Sequence, residues 1–488
     1  MKLISSAAPM RRSARWIVLI AAGALTACAS LAPPAAPNPP APVTPQAWQA
    51  PLPHDGQLTE LARWWQQFND PVLSGLIESA QGVNPSVAAA KSRIEQSRAQ
   101  QVAANAALLP SLNANANASR GRQDLNVPLG TSVSAGLQAG WEFDLFGGNR
   151  SARDAAQARL EGAAAGWHEA RVSVAAEVAN QYLALRACEA QVLQTEADAK
   201  SRAETSRLTE LSSKAGFQAP ANAALARASA AQGNSLLTQQ RALCDSIVKA
   251  LVALTGADEP ALRAQLAGGV AQLPQPAQIA ISRVPAEALA QRPDLYSAAQ
   301  EVLAASADVS QAGAQRYPRI SLNGSIGAAR FSSGAGTQDG TVWSLGPVSV
   351  SLPLFDGGTR SANVDAARAR HQEASTVYAA RLRGAVREVE DALIALKSTA
   401  DRNTDAIVAT EGFGASYVAA QARYKGGLAS LFELEDARRT AVQAHSALIE
   451  LQRERVAAWI TLYRALGGGW SAAQMQADAG AAIVEPKK

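Results

Sequence analysis

The chain has 488 residues, of which 48% are hydrophobic, 18% charged and 5% aromatic. So low an aromatic share disfavours an ordinary large enzyme core and favours Ala/Leu-rich helix packing. Four of the 45 basic residues (Lys2, Arg11, Arg12, Arg15) lie in the first 27 residues, leaving 41 against 41 acidic ones, so no basic surface remains for a nucleic-acid backbone.

In chain order, residues 1–27 read as a signal peptide. Arg11, Arg12 and Arg15 precede a short apolar stretch, Trp16 to Leu25, too short to anchor in a bilayer. The segment ends Leu25-Thr26-Ala27-Cys28, a lipobox that makes Cys28 the expected lipidated first residue of the mature protein. Residues 28–63 form a proline-rich, semi-rigid linker.

The remainder repeats itself. Asn84-Pro85 opens a helical stretch closing at Pro110, and Arg292-Pro293 opens another closing at Pro318. Asp144-Leu145-Phe146-Gly147-Gly148 is answered by Leu354-Phe355-Asp356-Gly357-Gly358, Lys214 and Gly216 by Lys425 and Gly427, and Gly256 by Gly467. A unit of about 210 residues has been doubled. The expected divisions are a first repeat at 64–256, an inter-repeat linker at 257–284, a second repeat at 285–469 and a C-terminal tail at 470–488.

Within each repeat a proline-bounded helix leads to two strands. Leu112, Ala114, Ala116 and Ala118 alternate with Asn113, Asn115, Asn117 and Ser119; after a polar loop from Arg120 to Thr131, Val133 to Phe143 alternate again. The second repeat alternates from Ile320 to Ile326, and its return strand, Trp343 to Leu352, changes phase at Gly346-Pro347, as a bulge or bend would require. The pattern fits transmembrane barrel strands or a soluble hairpin. Arg150 to Lys214 then contains no proline and predicts a helix of almost ~100 Å, returned by a helix ending at Gly256. These helices are coiled-coil-like. Four membrane strands cannot close a barrel, because the smallest have about eight, so the membrane reading demands other copies of the chain.

The lipobox, Trp64-Trp65 with Phe68-Asn69-Asp70-Pro71, the Asn84-Pro85 helix, Leu145-Phe146-Gly147 and Pro353-Leu354-Phe355-Asp356-Gly357-Gly358 together resemble the TolC-like outer-membrane factors, in their OprM/NodT-type efflux lipoprotein branch. That resemblance implies an α+β membrane protein. Three chains would complete a twelve-stranded outer-membrane β-barrel and a twelve-helix periplasmic α-barrel. It implies a homotrimer in contact with outer-membrane lipid, serving as the passive exit duct of a tripartite efflux pump. Its partners would be a periplasmic adaptor protein and an inner-membrane transporter. Competing roles are a type I protein-secretion duct and a structural envelope coiled coil. An enzyme has little support: His54, His168, His371 and His445 are scattered, with no phosphate loop or nucleophile elbow, so no catalytic residue, metal or cofactor is expected.

Several positions stand out. Cys188 and Cys244 are both 28 residues from Gly216, one on each arm of an antiparallel hairpin, which predicts a disulfide in an oxidising compartment. Helical phase could instead point them apart as free thiols. The glycine turns at the helix tips, Gly216-Phe217 and Gly426-Gly427-Leu428, are candidate adaptor-docking sites or plain chain reversals. Tyr424, Glu433 and Asp436 resemble the family's periplasmic gate. Glu433 and Asp436 are three apart and share a helix face, so a trimer would ring its axis with carboxylates. The alternative is that acids after the reversal offset the helix dipole.

Overall fold

A computed structural model of the chain describes residues 45, 48–50, 61–122, 129–275, 289–334 and 336–471. Cys28, the signal peptide and most of the proline-rich linker lie outside them. After a 3-10 turn at Leu61–Phe68, the elements are α1 (Pro71–Val83), α2 (Pro85–Ala106), β1 (Ser111–Gly121), β2 (Gly130–Phe143), α3 (Gly148–Lys214), α4 (Pro220–Thr255), α5 (Glu259–Leu266), α6 (Pro293–Ala314), β3 (Arg319–Ser333), β4 (Gly336–Ser351), α7 (Thr359–Lys425) and α8 (Leu431–Ala465). The duplication is metric as well as textual: α3 and α7 each have 67 residues, α2 and α6 each 22. No described helix is long and apolar enough to cross a membrane.

The chain divides into two compact units. One holds the strands. They form a single antiparallel sheet in the order β1-β2-β3-β4, so the two hairpins join through β2 and β3, one strand from each repeat. Both hairpins are longer than the alternation predicts. β1 continues through Arg120 to Gly121, β2 starts at Gly130, and β4 starts at Gly336 in place of Trp343. The added glycines and Asp339 are poor strand formers, recruited by ladder bonds to a partner strand that is already in place.

The register explains the phase change in β4. Leu322 pairs with Val348 but Gly324 with Leu345, so one strand skips Asn323 while the other skips Gly346 and Pro347. The extra residue returns Val348 and Val350 to the face that carries Leu345 and Trp343. Across the sheet, one face therefore presents Ala114, Leu137, Ile326 and Trp343 in a row, and the other presents polar side chains such as Ser325 and Ser344, hydrogen-bonded at 2.9 Å. On that polar face Gly136 and Gly327 are opposed so closely that a Cβ on either would meet backbone oxygen at 2.7 or 2.6 Å. Only glycine fits there.

The same unit starts both long helices with an aspartate. Asp144 accepts from the backbone N–H groups of Asn149 and Arg150, at 3.0 and 2.9 Å. Asp356 accepts from those of Gly358 and Arg360, at 3.0 and 3.1 Å. The Arg360 amide holds the Asp356 carboxyl below the usual carboxylate range. The duplicated glycine motif thus keeps the cap while moving the acid by two positions relative to its glycine pair.

The second unit holds the helical hairpins and the main core. Trp64 is fully buried, stacked on Tyr463 at 4.7 Å and edge-on to Phe68. Asp70 caps α1 through Val72 and Leu73, and its other oxygen accepts the Tyr182 hydroxyl at 2.5 Å. Burial and that bond push Tyr182 up to about 12. The Trp64-to-Pro71 motif is therefore a core plug followed by a helix start. The stretch expected as linker contains α5, whose Leu262 and Leu266 are buried in the core, while 276–284 lies outside the described residues. Trp470, the first residue of the expected tail, is buried against Tyr296 and His168.

Candidate functional site

The residues singled out by sequence cluster at the ends of the two helical hairpins, α3–α4 and α7–α8. Both reversals are built alike. Gly216 and Gly427 adopt left-handed backbone, φ 83° and 72°. The Phe217 amide reaches back to the Ser212 carbonyl at 2.9 Å and the Leu428 amide to that of Arg423 at 2.8 Å. The amides of Gly216 and Gly427 reach the carbonyls of Ser213 and Tyr424, both at 3.0 Å. This is the Schellman closure of a helix end, which satisfies orphan carbonyls and demands a residue without Cβ strain. The closure leaves Phe217 84% and Leu428 75% exposed, each an apolar side chain held at a tip. Gly426 is exposed beside them.

Beyond the turns the hairpins differ. α4 begins at Ala219-Pro220 with no side-chain cap, whereas α8 begins with a full capping box. Ser430 accepts from the Glu433 amide at 3.2 Å, and Glu433 accepts from the Ser430 amide at 2.9 Å. That backbone bond holds the Glu433 carboxyl below the usual range, with Arg423 adding at 3.4 Å. Asp436 pairs with Arg439 on the same helix. Both acids are exposed. Tyr424 is half-buried against Ala226, Leu431 and Leu434, and its hydroxyl meets Thr209 Oγ1 at 2.7 Å. Tyr424 thus bonds a helix of the first repeat, while Glu433 and Asp436 bond within their own.

Next to these lies a polar network that sequence reasoning missed. Arg438 is 1% exposed; it donates to Glu435 at 2.5 Å and to Thr205 at 3.0 Å, and stands 3.8 Å from Asp198. Arg202 donates to Asp198 at 2.7 Å and to Ser229 at 3.0 Å, and the Ser229 hydroxyl donates to Glu435 at 2.9 Å. Tyr417 and Ser201 share a hydrogen bond of 2.7 Å beneath the Arg438 guanidinium. All four hairpin helices contribute. The spacings Asp198/Arg202 and Glu435/Arg438 are legible as one-helix pairs, but ordinary surface pairs have the same spacing. Glu435 bridges the two hairpins, accepting from Arg438 on its own helix and from Ser229 on α4.

Farther along the first hairpin, Cys188 and Cys244 are joined by a disulfide with Cα atoms 5.7 Å apart. The matching positions of the second are Thr399, fully buried with its hydroxyl turned back to Ala395 at 2.9 Å, and Arg455. Among the described residues no group of acids, histidines and cysteines could hold a metal ion.

The model of the family "outer membrane efflux protein" matches the chain twice, over residues 76–257 and 284–468. The outer membrane protein OprJ of Pseudomonas aeruginosa is 32% identical over 448 residues, covering 89% of this chain and 91% of its own. The pyoverdine export outer membrane protein OpmQ of Pseudomonas putida is 31% identical over 444 residues, covering 88% and 92%. The solved outer-membrane channel OprN superposes with a TM-score of 0.78 at 27% identity, over 88% of this chain and 98% of that one. The chain belongs to the outer membrane efflux protein family.

Proposed function

We propose that the protein works as a homotrimeric, passive exit duct of a tripartite efflux pump, exporting small organic molecules without chemistry of its own. The observation that carries this reading is the four-stranded sheet, apolar on one face and polar on the other, with β1 and β4 each lacking a partner on one side among the described residues. Unpaired strand edges cannot face hydrocarbon, so β1 of one copy must pair with β4 of the next until the sheet closes. Three copies give a closed wall above the minimum size for a barrel. Pyoverdine export by the relative OpmQ supports a small-molecule cargo.

In this reading Cys28 is lipidated and the exposed tips at Gly216-Phe217 and Gly426-Gly427-Leu428 meet the adaptor that links the duct to the inner-membrane transporter. Tyr424, Glu433 and Asp436 narrow the periplasmic entrance. The exposure of Glu433 and Asp436 on one side of α8 supports a ring of carboxylates in the trimer that favours cations. Purified full-length protein should run as a trimer and give discrete conductance steps in planar bilayers. A monomer without conductance would sink the proposal. Glu433→Gln/Asp436→Asn should weaken cation selectivity, and unchanged selectivity would leave Glu433 as a helix cap alone. Palmitate labelling lost in Cys28→Ser tests the anchor, and efflux lost in Gly427→Trp with normal trimer yield tests the tip.

A further inference from the structure

The outer wall of the sheet ends in two arginines that nothing in the efflux reading uses. Register places Arg120 on β1 opposite Thr131, and Arg330 on β3 opposite both Val133 and Asp339. Counting by twos from Leu112 and from Ile320 puts both on the apolar face, the one that carries Leu137, Ile326 and Trp343. Both are exposed, at the end of the strands away from the helices. Neither guanidinium has a hydrogen bond or ion pair among the described residues, and Asp339, although opposite Arg330, makes none with it.

Their height matters. From Ile320 to Arg330 the strand rises about 33 Å, which a tilt of about 40° reduces to about 25 Å, the height of a barrel's apolar band. An arginine facing lipid is costly at the midplane and nearly free of cost near the interface. At this level the side chains clear the hydrocarbon and enter the layer of headgroups. β1 and β3 are two strand spacings apart, so the two Cα atoms are roughly 12 Å from each other, and both stems can turn toward one headgroup. The guanidinium fork matches the oxygens of phosphate bidentately.

We propose that Arg120 and Arg330 form a phosphate-binding rim on the outer wall, one per chain, which holds the phosphorylated headgroup of the outer-leaflet glycolipid. The inference rests on the barrel reading above, which sets the apolar face toward lipid and this end toward the cell exterior. Acyl chains would lie on Leu137 and Ile326 beneath the rim.

The test uses the full-length trimer in phosphatidylcholine vesicles, titrated with fluorescent diphosphoryl lipid A, with the same lipid stripped of its phosphates, and with phosphatidylglycerol. The wild type should prefer the diphosphoryl form. Arg120→Gln/Arg330→Gln should bind it about thirtyfold more weakly, since each basic residue near such a surface contributes about fivefold or slightly more. Conductance should not change. Equal affinity in the double variant, equal affinity for the dephosphorylated lipid, or equal affinity for phosphatidylglycerol would each overturn the proposal. Failure of the wild type to insert and conduct would instead overturn the barrel reading beneath it.

Discussion

The two helical hairpins share length and turn geometry, yet they are held together by different means. The first is clamped by the Cys188–Cys244 disulfide and has an uncapped return helix. The second has Thr399 and Arg455 at those places, an exposed Arg402–Glu454 pair at 2.7 Å between its arms, and a capping box at its tip. An exposed ion pair contributes about 0–1 kcal/mol, whereas a disulfide closing a loop of this size contributes about 2–4 kcal/mol. Duplication preserved the shape and left its fastenings free to diverge. The second hairpin is the more weakly tied along its length, and it is also the one whose Arg438 enters the network shared with the first.

The largest effect should come from breaking that shared network. Arg438→Ala takes from Glu435 and Asp198 one of the two cations they share, leaving Arg202 beside both, and removing one member of a buried ion pair costs up to about 3–5 kcal/mol. Arg402→Ala, at an exposed pair, should cost no more than about 1 kcal/mol. Denaturant midpoints followed by circular dichroism separate the two, and equal losses would mean that Arg438 is less committed than its burial indicates.

Next comes the clamp. Cys188→Ser/Cys244→Ser should lose about 2–4 kcal/mol. The converse sharpens the comparison: if the repeats are equivalent in three dimensions, Thr399→Cys/Arg455→Cys should form a second bridge and recover stability of the same order. Thiol labelling of denatured, unreduced protein would find two extra free thiols if the hairpins differ in phase.

The capping difference is smaller. Ser430→Ala removes the Glu433 amide's acceptor and should cost about 1 kcal/mol, while Ala219→Ser should gain up to a similar amount by supplying the cap that the first tip lacks. If both changes are silent in thermal melts, tip capping plays no part in the contrast.

The smallest effect is acid sensitivity. Glu433 is held below its ordinary pKa by the Ser430 amide, so its contribution is complete above the range of unfolded glutamate and is lost as pH falls through the folded value. Below about pH 4 the second tip should loosen while the first, which has no such carboxylate, should not. Spin labels at Leu428 and Phe217 report each tip separately, and parallel mobility at both would contradict the assignment.

Much of this was legible in residues. The paired prolines, the duplicated glycine motifs and the alternating strands locate the elements because proline, positive φ and a two-residue period are local constraints. The equal spacing of Cys188 and Cys244 from Gly216 was legible too, since two antiparallel helices rise at one rate. The ends of the strands were not, because Arg120 to Gly121 and Gly336 to Val342 are broken by glycines and polar side chains, and only the ladder to their hairpin partners, Thr131 and Gly130 and Ser333 to Gly327, holds them extended.

What the sequence by itself determined is the duplicated order of helix, hairpin and long helix, and an amphipathic sheet too narrow to close alone. Tertiary structure alone decided that β2 pairs with β3 across the repeats, that the extra residue at Gly346-Pro347 restores the apolar face, and that Glu435 turns inward to Arg438 and Ser229 while Glu433 turns back to cap its helix. The physical reason is the same in each case. A side chain's type and spacing constrain its own helix or strand, but its burial and its bonding partner depend on which remote segment arrives beside it.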